Sequence, residues 1–192
     1  MRFLDLTVSA WLEELGERGP SPGGGSAAAM SGAMGAALIA MAARLSSDSW
    51  PEAGGVVAQA TALRGRLADL AQADADVYSE ALQILDHAGD IPEKRRDYEL
   101  GLAFERAAET PLKIAQTATD VAVLAADSRE RIEPAVEADL DAAIALAASA
   151  AQAAARLVAV NLSSTRDDPR VGQASAAAEA AARAMRGVFP PV

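Results

Sequence analysis

The strongest constraint on the fold is a stripe of apolar residues in the middle of the chain. Its members are spaced alternately by four and three residues, and they are Leu63, Leu67, Leu70, Val77, Ala81 and Ile84, with Asp74 at the remaining position. Such a heptad-like spacing places them on one side of an α-helix that packs against neighbouring helices. We therefore predict a long helix over residues 56–85. Because Asp74 lies among leucines and valines, we expect its carboxyl group to be partly desolvated and its pKa to be raised, unless a cation or hydrogen-bond donors compensate.

The composition favours helices throughout. Hydrophobic residues make up 51% of the 192 residues but aromatic residues only 4%, so the apolar content is mostly Ala, Leu and Val rather than the aromatic and β-branched residues of strands. We predict one all-α domain over residues 1–192, a single-domain bundle of about five to six helices, several of them long and Ala-rich.

Breakers divide the remaining sequence into further helices. They are predicted over residues 8–15, 27–45, 93–126, 136–162 and 169–187. Thr7, Ser26 and Asp168 are the expected N-caps, and a kink or restart is expected at Thr110-Pro111.

Composition also excludes several classes of function. The chain has no Cys and one His, which rules out disulfides, thiolate chemistry and a multi-His site, and we predict no metal. The formal net charge of −10, without a basic stripe, argues against nucleic-acid binding.

One long uncharged run, residues 20–43, has nearly the length of a membrane span. Its Gly, Ser and Ala residues would drive insertion only weakly, so a helix buried in a bundle explains it better. At the amino terminus Asp5 interrupts any signal peptide before an apolar core forms. We expect a cytoplasmic protein without membrane contact.

A proline and three glycines precede the second predicted helix: Pro22, Gly23, Gly24, Gly25 and then Ser26. Free N–H groups at such a helix start, together with the helix dipole, can bind an anionic or carbonyl-bearing ligand. The motif is neither a P-loop, since no Lys follows the glycines, nor a Rossmann turn. A tight turn between packed helices is the competing interpretation, slightly favoured by the bare motif.

Four further polar residues are candidates for chemistry. Asp74 and Tyr78 are four residues apart and share a helix face, so a semi-buried carboxylate beside a phenol can act as a general acid or base. A structural Asp held by an Arg or by amide donors is the alternative. For Asp139 and Asn161, at opposite ends of one predicted helix, complementation of the helix dipole and a polar C-terminal cap are sufficient explanations from position alone.

Taken together, these segments resemble the cyclodeaminase/cyclohydrolase family. That family includes the carboxyl-terminal domain of formiminotransferase-cyclodeaminase and stand-alone bacterial methenyltetrahydrofolate cyclohydrolases. The matching segments, in order, are Asp5-Leu6-Thr7, residues 20–28, Asp74-Ala75-Asp76-Val77-Tyr78, Ile91-Pro92, residues 109–115, Asp139 and Val160-Asn161-Leu162. The Pro-x-Pro-Gly-Gly-Gly-Ser element is the most specific of them.

The resemblance implies an all-α homodimer with a folate bound near the glycine-rich loop and no separate cofactor. Carried over onto this sequence, Asp74 is the acid/base, Asp139 a second catalytic polar group and Tyr78 an orienting or stacking partner. Residues Pro22–Ser26 would hold the pterin or its carbonyl group, and Asn161 would also bind substrate.

The first reaction that the resemblance implies is hydrolysis of 5,10-methenyltetrahydrofolate to 10-formyltetrahydrofolate by carboxylate general acid/base catalysis. A second is cyclodeamination of 5-formiminotetrahydrofolate with release of ammonia, which passes through a similar tetrahedral carbon. A third interpretation is a non-catalytic helical module that binds folate or another partner.

Overall fold

The protein is an all-α bundle. The computed structural model describes residues 3–18, 22–86, 92–163, 165 and 167–189. Its α-helices are α1 (Val8–Gly16), α2 (Gly24–Leu45), α3 (Ala53–Asp86), α4 (Glu93–Ala107), α5 (Glu109–Ser128), α6 (Glu137–Asn161) and α7 (Pro169–Val188), with short 3₁₀ turns at Phe3–Asp5, Arg129–Arg131 and Pro134–Val136. The described residues contain no β-strand, which confirms the predicted fold class. Pro20, Ser21, Ile91 and the break predicted at residues 87–91 lie outside the described residues.

Helix α2 packs against α3 on one side and against α6 on the other. Small residues allow these helices to approach closely. A Cβ atom added at Gly35 would lie 2.9 Å from the carbonyl oxygen of Ala143 on α6, and one added at Gly32 would lie 3.0 Å from Cδ1 of Leu67 on α3. The alanine-rich composition therefore serves close helix packing.

The part of the heptad stripe from Leu63 to Leu70 faces this core, as its spacing predicts, whereas the side chains of Ala81 and Ile84 lie outside the described part of the structure. Leu67 is fully buried, and Leu63 and Leu70 are half-buried against the core residues of α2 and α5. The helix begins at Ala53, three residues before the predicted start.

The start of α2 differs from the prediction. Gly23 is the N-cap and the helix begins at Gly24, so the prediction that Ser26 caps a helix beginning at residue 27 is wrong. Ser26 is fully buried, and its hydroxyl donates to the carbonyl oxygen of Ala71 on α3 at 2.8 Å. The hydroxyl therefore joins two helices instead of capping one.

Two other predicted caps are confirmed. Thr7 Oγ1 accepts a hydrogen bond from the backbone N–H of Ala10, and Asp168 accepts one from the N–H of Arg170. The predicted restart between α4 and α5 lies at Ala108, two residues before Thr110. Pro111 therefore falls within the first turn of α5, where its missing N–H costs no helical hydrogen bond.

By length and composition, the stretches Gly24–Leu45 and Pro134–Asn161 would each suffice to cross a bilayer. Within the bundle, 61% of the apolar window of the first and 44% of that of the second are buried. Core helices of a bundle share these properties, so both stretches are weak evidence for a membrane span.

Candidate active site

A cavity of about 380 Å³ lies where the amino terminus of α2 meets the carboxyl terminus of α6. The later part of α3 and the junction between α4 and α5 form its other walls. Its volume is within the range of small-molecule sites. Helices α2 and α3 run antiparallel, which brings the glycine-rich turn beside Asp74 although the two are about fifty positions apart in the sequence.

Most of the predicted site residues line this cavity. They are Pro22, Gly23, Gly24, Gly25, Asp74, Tyr78 and Asn161. Ser26 lies directly behind them, fully buried, and supplies its backbone N–H to Asp74. The antiparallel packing of α2 against α3 and α6 is what brings these distant segments together.

Asp139 is not part of this group. It lies in the first turn of α6, exposed, whereas the cavity is at the last turn of the same helix. The 22 positions that separate it from Asn161 correspond to about 33 Å at the α-helical rise. Within one chain the structure does not bring the two predicted catalytic carboxylates together. An acid in the first turn complements the helix dipole, which is the alternative explanation of Asp139.

Asp74 is the carboxyl group that lines the cavity. Burial raises the pKa of this carboxyl from the ordinary value of 3.8 to about 6, and a hydrogen bond from the backbone N–H of Ser26 opposes that shift. Among the described residues no cationic side chain forms an ion pair with Asp74. Desolvation therefore dominates, as the apolar surroundings of Asp74 in the sequence predict.

The carboxyl group of Asp74 lies directly over Gly25. A Cβ atom at Gly25 would overlap Cγ and both oxygens of Asp74, whereas one at Gly23 or Gly24 would have no neighbour within 4 Å. Of the three glycines, only Gly25 has no room for a side chain.

Tyr78 on α3 and Asn161 on α6 are two further polar residues of the cavity wall. Tyr78 follows Asp74 by one helical turn, and 42% of its surface is exposed. The side-chain nitrogen of Asn161 donates to the carbonyl oxygen of Ala107 at 2.9 Å. This bond fixes the orientation of the amide, and no donor among the described residues pairs with its Oδ1, which remains available to accept a hydrogen bond from a ligand.

The rest of the described lining is apolar, and the residues alone do not predict it. It comprises Ala75, Ala107, Pro111, Leu157 and Val160. Such residues have the same appearance in a sequence as core residues. The family-like segments 74–78, 109–115 and 160–162 contain three of them, Ala75, Pro111 and Val160, and membership of these segments is the signal that the sequence offers.

The described residues contain no group of three or more His, Asp or Glu side chains that could hold a metal ion. The apolar part of the described lining suits a small, largely apolar molecule with a few polar groups. The polar groups in that lining are one desolvated carboxyl group, one phenol, one amide and the N–H groups of a helix start.

Comparison with known proteins is consistent with the resemblance found in the sequence. A family model described as formiminotransferase-cyclodeaminase matches residues 7–180. The formimidoyltransferase-cyclodeaminases of Rattus norvegicus and Mus musculus are each 30% identical over 129 residues, which cover 62% of this chain but 24% of each relative. The chain thus matches about a quarter of the length of these relatives.

Among solved structures, the crystal structure of formiminotetrahydrofolate cyclodeaminase from Thermotoga maritima has the same fold. It superposes with a TM-score of 0.77 at 23% sequence identity, covering 97% of this chain and 98% of that one. Because the family model spans most of the sequence, the chain belongs to the formiminotransferase-cyclodeaminase family.

Proposed function

We propose that this protein is a formiminotetrahydrofolate cyclodeaminase, which converts 5-formiminotetrahydrofolate to 5,10-methenyltetrahydrofolate and releases ammonia. The observation that carries the proposal is the desolvated carboxyl group of Asp74 in the cavity that the glycine-rich turn borders. The names of the relatives support cyclodeamination over the hydrolysis that the sequence suggested first.

The reaction requires a proton to be removed from one nitrogen and given to another. The second folate nitrogen attacks the formimino carbon and forms a tetrahedral carbon, and it must then lose its proton. The amino group must gain a proton before it leaves as ammonia. A carboxyl group with a pKa of about 6 can accept and return a proton near neutral pH. Asp74 is the acid/base in this proposal, a contribution typically of about 10²–10⁴-fold.

The charge of the cavity suits the reaction. The protonated formimino group and the methenyl product are both cations, and the described lining contains one carboxyl group and no Lys or Arg. In a partly desolvated site an oriented carboxylate stabilises such a cation more strongly than water does. Asp74 therefore has a second role, which is to pair with the positive one-carbon unit.

The remaining wall supplies orientation. The ring of Tyr78 and the apolar side chains of Leu157 and Val160 offer surfaces for flat rings. The N–H group of Gly24 is in the first helical turn, where no helical carbonyl pairs with it, and can hold a carbonyl oxygen of the ligand. Asp139 has no role in this proposal.

The test is a comparison of two substrates on the purified protein. Formation of the methenyl compound and of ammonia from 5-formiminotetrahydrofolate supports the proposal. Turnover of 5,10-methenyltetrahydrofolate alone would favour the cyclohydrolase reaction, which uses the same acid/base with water as the nucleophile. Binding of tetrahydrofolate without turnover of either substrate would favour a non-catalytic module.

We also propose that the protein is a homodimer, formed through the outer face of α2. Residues on this face repeat with a four-three spacing and are half-buried or exposed: Ala27, Ser31, Met34, Leu38, Met41 and Leu45. Met34 is 51% and Leu45 60% exposed. The spacing is that of a helix seam, and residues 24–43 contain no charge. In a chain with net charge −10, an uncharged face is where a second copy can approach without repulsion.

A further inference from the structure

Gly25 and Asp74 are in closer contact than any side chain at position 25 would allow. The missing Cβ atom of Gly25 is the space that the carboxyl group of Asp74 fills. The next residue, Ser26, donates its backbone N–H to the same carboxyl group, while its hydroxyl binds the carbonyl oxygen of Ala71, one turn before Asp74.

We infer that Gly25 is a positioning residue, and that the second half of the glycine-rich turn holds the Asp74 carboxyl group instead of the substrate. The activity part of this inference rests on the proposed function. The structural part stands on the contact between the two residues and holds for any reaction at this site.

The three glycines therefore have different requirements. Gly23 and Gly24 have open space where a Cβ would be. Their contribution is to border the cavity and to present their backbone N–H groups to it. Gly25 is required because the carboxyl group lies against its Cα. A methyl group there would overlap the carboxyl group, so Asp74 must rotate away from Gly25 and from the N–H of Ser26.

Gly25→Ala is the test, and Gly65→Ala is its matched control. Gly65 is an exposed residue of α3 outside the cavity, with nothing within 4 Å of an added Cβ, so its replacement by Ala should leave activity unchanged. We expect Gly25→Ala to lower kcat by about 10²-fold with a much smaller change in KM, because it misplaces the reacting group. We also expect the Asp74 titration, followed by carboxyl-carbon NMR, to move away from about 6.

A stability cycle tests the contact without any substrate. Gly25→Ala should lower Tm, and the same change in an Asp74→Ala background should lower it by much less, since the clash has been removed. Equal losses of Tm in both backgrounds, or an unchanged Asp74 titration in Gly25→Ala, would overturn the inference.

The two proposals fail in different ways. If the wild-type protein turns over no folate but the stability cycle shows coupling, the proposed reaction fails and the positioning role of Gly25 stands. If wild-type turnover is normal and Gly25→Ala matches Gly65→Ala in kcat and Tm, the positioning role fails alone.

Discussion

The hydroxyl group of Ser26 on α2 donates to the main-chain carbonyl of Ala71 on α3, with 2.8 Å between the two oxygens. Both residues are fully buried, and the bond lies one turn from Asp74. It fixes the register of α2 against α3, and this register places Gly25 beneath the carboxyl group. The site therefore depends on a buried hydrogen bond between two helices that lies outside the cavity lining.

Replacing Ser26 by Ala should lower the free energy of unfolding by about 1 kcal/mol, the net value of one buried hydrogen bond. The carbonyl of Ala71 keeps its helical partner, so no larger penalty follows. Urea denaturation measures the change. Ser128→Ala is the control, because the hydroxyl of this buried serine donates within its own helix, α5, to the carbonyl of Leu124. A loss at Ser128 equal to that at Ser26 would contradict the role of the interhelical bond.

Asp74→Asn should reduce turnover by about 10²–10⁴-fold, since the amide can neither accept nor return the proton. In the wild-type protein kcat/KM should rise with pH and reach half its plateau near pH 6, as the carboxyl group ionises. The control is Asp76→Asn, on the same helix but exposed and outside the cavity lining. A rate independent of pH between 5 and 7 would exclude Asp74 as the base.

The same substitution should stabilise the protein at neutral pH. The folded pKa of Asp74 is about 6 and the ordinary value is 3.8, so between these pH values the folded chain holds a proton that the unfolded chain has lost. Stability therefore falls as pH rises through this window and stays low above it. At pH 7 we expect Asp74→Asn to gain up to about 3 kcal/mol, and at pH 3.5 almost nothing. Unfolding curves of the wild-type and variant proteins at both pH values measure this gain. An equal gain at the two pH values would contradict the link between Asp74 ionisation and stability.

Asn161→Ala should weaken tetrahydrofolate binding by about tenfold and lower stability by about 1 kcal/mol, because it removes the acceptor in the cavity and the bond to Ala107. Calorimetric titration with tetrahydrofolate and urea denaturation measure the two effects. Gln152→Ala, an exposed change on the same helix, is the control. A stability loss with unchanged affinity would restrict Asn161 to a structural role.

Met34→Lys should shift the proposed dimer towards monomer in light scattering at micromolar concentration. A charge at the centre of the α2 face would be buried without a partner in the dimer. Val123→Lys, at a 39% exposed residue of α5, should leave the mass of the assembly in light scattering at that of a dimer. A wild-type protein that is monomeric under the same conditions would contradict the dimer itself.

The sequence predicts the features that depend on residues close together in the chain. The heptad spacing of α3 indicated the side on which Asp74 lies, and short polar side chains before helices indicated the caps at Thr7 and Asp168. The raised pKa of Asp74 followed from its apolar neighbours in the stripe.

Features that depend on packing between helices were not predictable. The start of α2 was misplaced because glycine disfavours a helix in isolation, whereas here the contact of Gly25 with Asp74 and the bond of Ser26 to α3 stabilise the first turn. Asp139 was grouped with Asp74 because a linear motif does not tell which end of α6 meets the glycine-rich turn.

The contact of Gly35 with the carbonyl of Ala143 has a consequence at a distance. The two helices that meet there also supply Gly25 and Asn161 to the cavity wall, so the interaxial spacing at Gly35 affects the distance between these two parts of the wall. A methyl group at position 35 would push α2 and α6 apart at this contact. The contact is about 15 Å from Gly25 by the helical rise over ten residues, so the cavity would widen at a distance. Gly35, a residue outside the cavity lining, thus contributes to the width of the binding site.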